Sequence, residues 1–71
     1  MSYRYAVVFE KAENNYAAYV PDLPGCVTTG ATRDEVKRNI REAIDFHLDG
    51  LRLVGQPVPE PQAWTDLVEV G

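Results

Sequence analysis

Sulfur and imidazole are nearly missing from this chain of 71 residues: Cys26 is its one cysteine and His47 its one histidine. A single thiol excludes any disulfide within the chain. One Cys and one His cannot fill the four places of a structural zinc. No run approaches the ~18 consecutive apolar residues of a membrane span. The start, Met1-Ser2-Tyr3-Arg4-Tyr5, has no apolar stretch ahead of a small-residue cleavage site, so no secretion signal is read there. A cytoplasmic location is the expectation. Basic excess is lacking too. Seven Lys and Arg face eleven Asp and Glu, for a net charge of −4. Duplex nucleic-acid binders carry the opposite balance, and an acidic domain suits basic partners. The five glycines are scattered and form no phosphate-cradling loop. The only serine is Ser2, so no hydroxyl nucleophile is set beside His47.

What is present is ordinary globular composition, with 45% hydrophobic and 25% charged residues. A chain this short buries only about 60% of its unfolded surface. One small core then supplies about 3–5 kcal/mol, and association with another chain is the support left over.

Tyr3 to Glu10 alternates. Tyr5, Val7 and Phe9 share one face, and Arg4, Ala6, Val8 and Glu10 the other, which predicts a strand. Lys11 to Asn15 is a polar turn, whose Asn pair tolerates left-handed backbone. Tyr16 to Val20 completes a hairpin. Pro21-Asp22-Leu23-Pro24-Gly25 then stops both helix and ladder pairing. Cys26 to Ala31 reads as a third strand. Thr32-Arg33-Asp34-Glu35 is a capping box: the Thr32 hydroxyl can accept from the Glu35 amide, and the Glu35 carboxylate can reach back to the Thr32 amide. The helix runs to about Val54, with Val36, Ile40, Ala43, Ile44, His47, Leu51 and Val54 as its apolar stripe. Gly55 ends it. Gln56 to Pro61 is a stiff extended connection, and Trp64 to Val70 reads as a final strand. The fold class is α+β, in the order β-β-β-α-β. A small antiparallel sheet carries one helix on a face, in a single domain over residues 1–71. The crossover from the third strand to the last is expected to be right-handed, and an exposed sheet edge invites pairing.

The helix acids alternate with bases, so Asp34 with Arg38, Arg38 with Glu42 and Arg41 with Asp45 are expected to pair on a solvated face. Ala6-Val7-Val8 puts no carboxylate in the middle of the first strand, so no metal site, no cofactor and no catalytic set is expected. Cys26 reads as a small buried hydrophobe and His47 as a core or interface histidine. Lys37, Arg38, Arg41 and Arg52 have acids beside them, which weakens any phosphate-binding field. Phe46 and Leu53, seven residues apart, lie on one side of the helix away from the main stripe. A small domain cannot bury two opposite helix faces, so these two are the expected oligomer interface, for at least a homodimer.

The stretch from Tyr16 to Glu35, with Pro-Asp-Leu-Pro-Gly-Cys at residues 21–26, resembles the HicB antitoxin family. The likeness continues through Ile40-Arg41-Glu42-Ala43-Ile44 and Gly55-Gln56-Pro57-Val58-Pro59-Glu60-Pro61, and covers nearly the whole chain. It implies a partial ribonuclease H-like fold without the nuclease's catalytic set. It also implies a non-enzymatic antitoxin that neutralises a HicA-like toxin, an mRNA endoribonuclease. Many members carry a C-terminal DNA-binding segment. None is read before Gly71, so direct DNA binding is not expected of this chain alone. The loop Asp22, Leu23, Pro24 and Gly25 is the candidate partner-binding site: a stiff turn displaying one acid and one apolar side chain. Its alternative is a plain turn with Leu23 capping the core. Two other functions compete, a stand-alone ligand-sensing or scaffold domain and a degenerate nuclease.

Overall fold

The computed structural model describes residues 2–71; Met1, with which the expected domain begins, lies outside the described residues. Three strands come first: β1 Val8–Lys11, β2 Tyr16–Tyr19 and β3 Val27–Gly30. They pair antiparallel in that order. One helix follows, α1 Arg33–Leu53.

The hairpin closes through the Ala12 amide, which donates to the Asn15 carbonyl at 2.8 Å. Neither Asn14 nor Asn15 adopts left-handed backbone; the only positive φ angles among the described residues are at Gly25 and Gly55. In the ladder Phe9 lies opposite Ala18, and Ala18 opposite Thr28, so these three share the inner face.

The α1 start is capped as its sequence directs. The Glu35 amide donates to Thr32 Oγ1 at 3.1 Å. The reciprocal bond lands one residue earlier than expected, from the Ala31 amide to Glu35 Oε1 at 3.1 Å. Thr32 is extended, with φ −131° and ψ 167°, and the Glu35 side chain reaches past it. At the other end Gly55, at φ +74°, donates to the Arg52 carbonyl, and Gln56 to the Leu51 carbonyl. That pair of bonds is the left-handed stop that glycine permits.

The core consists of Ala18, Val20, Leu23, Cys26, Val36 and Ile40. Tyr5, Val7, Tyr16, Ala43, Ile44 and Leu48 pack against it, half-buried. Gly30 sets how closely helix and sheet approach. A Cβ at Gly30 would stand 2.6 Å from the Val36 backbone nitrogen and 2.9 Å from its Cα. Only a residue without a side chain lets α1 lie this near β3.

Several expectations need correction. The helix lies over β3 and β2 and does not reach β1. Phe9 therefore stays 45% exposed although its face is the apolar one. Regular pairing of the first strand begins only at Val8, not Tyr3. Val54, the expected end of the apolar stripe, is exposed at the helix cap. The three four-residue ion pairs do not form. Among the described residues the ion pair is Arg52 with Asp49, 3.2 Å apart and both well exposed. Exposed pairs gain about 0.3–0.5 kcal/mol against the entropy of holding two long side chains. The largest correction is the final strand. Trp64 to Val70 pairs with no strand among the described residues, and every residue from Trp64 to Gly71 is exposed. The expected β-β-β-α-β order ends at β-β-β-α, without a returning crossover.

Candidate partner-binding site

The loop between β2 and β3 is a tight, internally bonded turn. The Leu23 amide donates to the Val20 carbonyl, and the Cys26 amide to the Leu23 carbonyl. The Val20 amide donates to the Cys26 carbonyl at 3.1 Å, closing the base. Gly25 sits at φ +84°, where a side chain would be strained. The turn aims Leu23 inward, with 0% exposure. A side chain at zero exposure touches no partner, so the reading in which Leu23 is displayed is replaced by the one in which it caps the core. Pro24 and Gly25 are exposed at the loop's tip.

Asp22 has a partner of its own within the chain. Its Oδ2 accepts from the Gln62 and Ala63 amides, each at 3.0 Å, and its Oδ1 accepts from Ala63 at 3.3 Å. Pro57, Pro59 and Pro61 have no N–H, so Gln62 and Ala63 are the first adjacent pair of backbone donors after the proline run. A carboxylate accepting two backbone amides makes charge-assisted bonds, stronger than neutral ones. A second tether lies close by. The Tyr5 hydroxyl donates to the Pro59 carbonyl at 2.6 Å. Burial, helped by neighbouring Tyr3 and Asp22 and opposed by Arg52, pushes the Tyr5 hydroxyl above its ordinary pKa of 10.0. Sequence reasoning treated Asp22 as a free surface acid. The signal that could have found the clamp is the proline run, a segment with few donors that needs an acceptor at its end.

Tyr5 and Val7 on one side and α1 on the other bound an open groove of about 640 Å³. From the helix Ile40, Ile44 and Leu48 line it together with the charged Lys37, Arg41, Asp45 and Arg52, and Val58 of the tail lines it too.

Phe46 and Leu53 are 82% and 87% exposed, as their position off the stripe requires. His47 is half-buried. Cys26 is buried, and burial raises its thiol pKa, which makes it a poor nucleophile. Among the described residues no three His, Cys, Asp or Glu stand together as a metal site. No helix described is long and apolar enough to cross a membrane.

Comparison with known proteins places this site in a family context. A family model described as "HicB_like antitoxin of bacterial toxin-antitoxin system" matches residues 5–70. An uncharacterized 14.9 kDa protein of Haemophilus phage HP1 is 38% identical over 56 residues, 79% of this chain and 42% of its own length. A UPF0150 protein of Helicobacter pylori is 52% identical over 44 residues, 62% of this chain and 61% of that one. Antitoxin HicB 2 of Photorhabdus laumondii is 31% identical over 68 residues, covering 90% of this chain and 49% of the relative. The chain thus spans about half the length of these relatives. No solved structure matches it significantly.

Proposed function

Since this chain belongs to the HicB-like antitoxin family of bacterial toxin–antitoxin systems, we propose that it is the toxin-neutralising module of a type II system. Its partner is a small basic HicA-like endoribonuclease in the same cytoplasm. It acts as one domain, partly ribonuclease H-like, by binding rather than by catalysis. The observation that carries this reading is the family match across residues 5–70, which includes the whole Pro21–Cys26 loop and its clamp.

The physical logic is electrostatic. An RNA-cleaving toxin presents cations to phosphate. A chain of net charge −4 can occupy those cations and exclude RNA, with long-range attraction raising the association rate. The contact surface is the loop tip, Pro24 and Gly25, with Asp22 and Leu23 holding it in shape from beneath. Phe46 and Leu53 serve self-association on the far side of α1.

The test is to co-express the chain with a small basic protein encoded beside it. A stoichiometric complex, and loss of RNA cleavage by that protein on adding the chain, is the expected result. Free mixing at micromolar concentration with cleavage unchanged would refute it. Separately, the chain incubated with RNA and magnesium or manganese should leave the RNA intact.

A further inference from the structure

Two parts of this molecule leave apolar surface facing solvent. Trp64, Leu67, Val68 and Val70 are 80–97% exposed on a segment that pairs with no strand among the described residues. The groove between Tyr5, Val7 and α1 is open to solvent, with Val58 of the chain's own tail as part of its lining. We propose that residues 64–70 are an exchanged arm: the arm of one copy lies in the groove of a second copy, which returns its own arm by two-fold symmetry. This inference does not depend on a toxin partner.

Length agrees first. The groove runs along α1 from Lys37 to Arg52, about 22 Å at 1.5 Å per residue. Seven extended residues, Trp64 to Val70, span about 23 Å. Charge agrees next. The groove lining carries Lys37, Arg41 and Arg52 against the single acid Asp45, whereas the arm carries Asp66 and Glu69 and no base. Arg52 is already paired with Asp49, which leaves Lys37 and Arg41 for the arm among the described residues. Side-chain pattern agrees as well. In an extended arm Trp64, Asp66, Val68 and Val70 share one face. Three apolar groups then meet the apolar lining and Asp66 meets its cations. The volume, about 640 Å³, is in the range of sites that bury a ligand's side groups.

The arm's own groove is the poorer target. Asp22 holds the amides of Gln62 and Ala63, and the proline run before them is stiff. The molecule is 45 Å long although α1 accounts for about 32 Å. The chain therefore leaves its body at the clamp. Closed exchange buries both arms and both grooves at once, which one chain cannot do alone. The helix patch of Phe46 and Leu53 is not part of the groove and is untouched by the exchange.

Trp64 is the only tryptophan, so its fluorescence reports the arm alone. Light scattering should give at least twice 8.0 kDa at high concentration. Trp64 emission should move to shorter wavelength as the chain is concentrated, along the same curve as the mass. Arg41→Glu should weaken the dimer at least about tenfold, and adding Asp66→Arg should restore it. An exposed-indole spectrum in a dimer would overturn the proposal, because the copies then meet elsewhere. A blue-shifted spectrum in a monomer would overturn it too, because the arm then folds onto its own chain. A dimer that survives truncation after Ala63 unchanged would also overturn it.

Discussion

Residues 16–20 and residues 64–70 look alike on paper. Tyr-Ala-Ala-Tyr-Val and Trp-Thr-Asp-Leu-Val-Glu-Val both mix aromatics with Val or Leu at strand-like spacing. The first stretch holds the central strand, Tyr16–Tyr19, and Ala18 and Val20 are at 2% exposure. The second is exposed throughout. The difference lies in their neighbours. β2 has a partner on each side and a helix above it. The tail follows three prolines and is fixed by its amides to Asp22. Apolar content makes a segment able to be buried, but a second surface is needed to bury it.

Changes in the body should be felt most. Leu23→Ala removes a side chain at zero exposure and should cost about 3 kcal/mol. That is comparable with the whole stability of a domain this small, about 3–5 kcal/mol. Urea unfolding followed by circular dichroism should show the variant's midpoint shifted close to zero denaturant. Gly30→Ala comes next. Its new methyl would strike the Val36 backbone, which cannot rotate away. A loss of about 2 kcal/mol, read in the same assay, is expected.

Changes at the boundary between body and tail should be smaller and local. Asp22→Ala removes the acceptor of two amides and should cost about 1 kcal/mol, or roughly 5 °C in Tm. Hydrogen exchange should quicken at Gln62 and Ala63 while β2 amides stay protected. Equal quickening in β2 would break the distinction between body and tail. Alkali probes the same boundary through Tyr5. Its folded pKa lies above the ordinary 10.0, so folding holds the proton. The stability linked to it is complete below pH 10 and falls as pH rises through the raised value. Tyr5→Phe should lack this part of the alkaline loss, as pH-dependent melting would show.

The smallest effect on folding is expected at the exposed helix face. Phe46→Glu should leave monomer stability within about 0.5 kcal/mol. Light scattering should nevertheless show weaker self-association. A large drop in melting temperature would mean Phe46 belongs to the fold instead.

Much of the body was legible because its signals are local. Thr32 and Glu35 are three residues apart, and their cap forms within one helical turn. Gly55 stops α1 where the apolar stripe runs out, and Gly25 takes the positive φ its turn needs. The family likeness rests on the same contiguous stretch. The candidate site was less legible. Asp22 reads as a surface acid because its partners lie 40 and 41 residues away. Leu23 reads equally well as displayed or buried, since a turn's residues do not reveal which way it faces.

The order of the first three strands and the helix, the two helix ends and the acidic balance follow from the sequence by itself, because each depends on neighbours within a few residues or on composition. Three things belong to tertiary structure alone. α1 lies over β2 and β3 and does not reach β1, so Phe9 is exposed. Tyr5 and Asp22 tie down the tail at Pro59, Gln62 and Ala63. Trp64 to Val70, strand-like in pattern, finds no strand. Pairing is a competition among distant segments for the same edges and donors. Its outcome depends on where loops and prolines let the chain go, which no local pattern encodes.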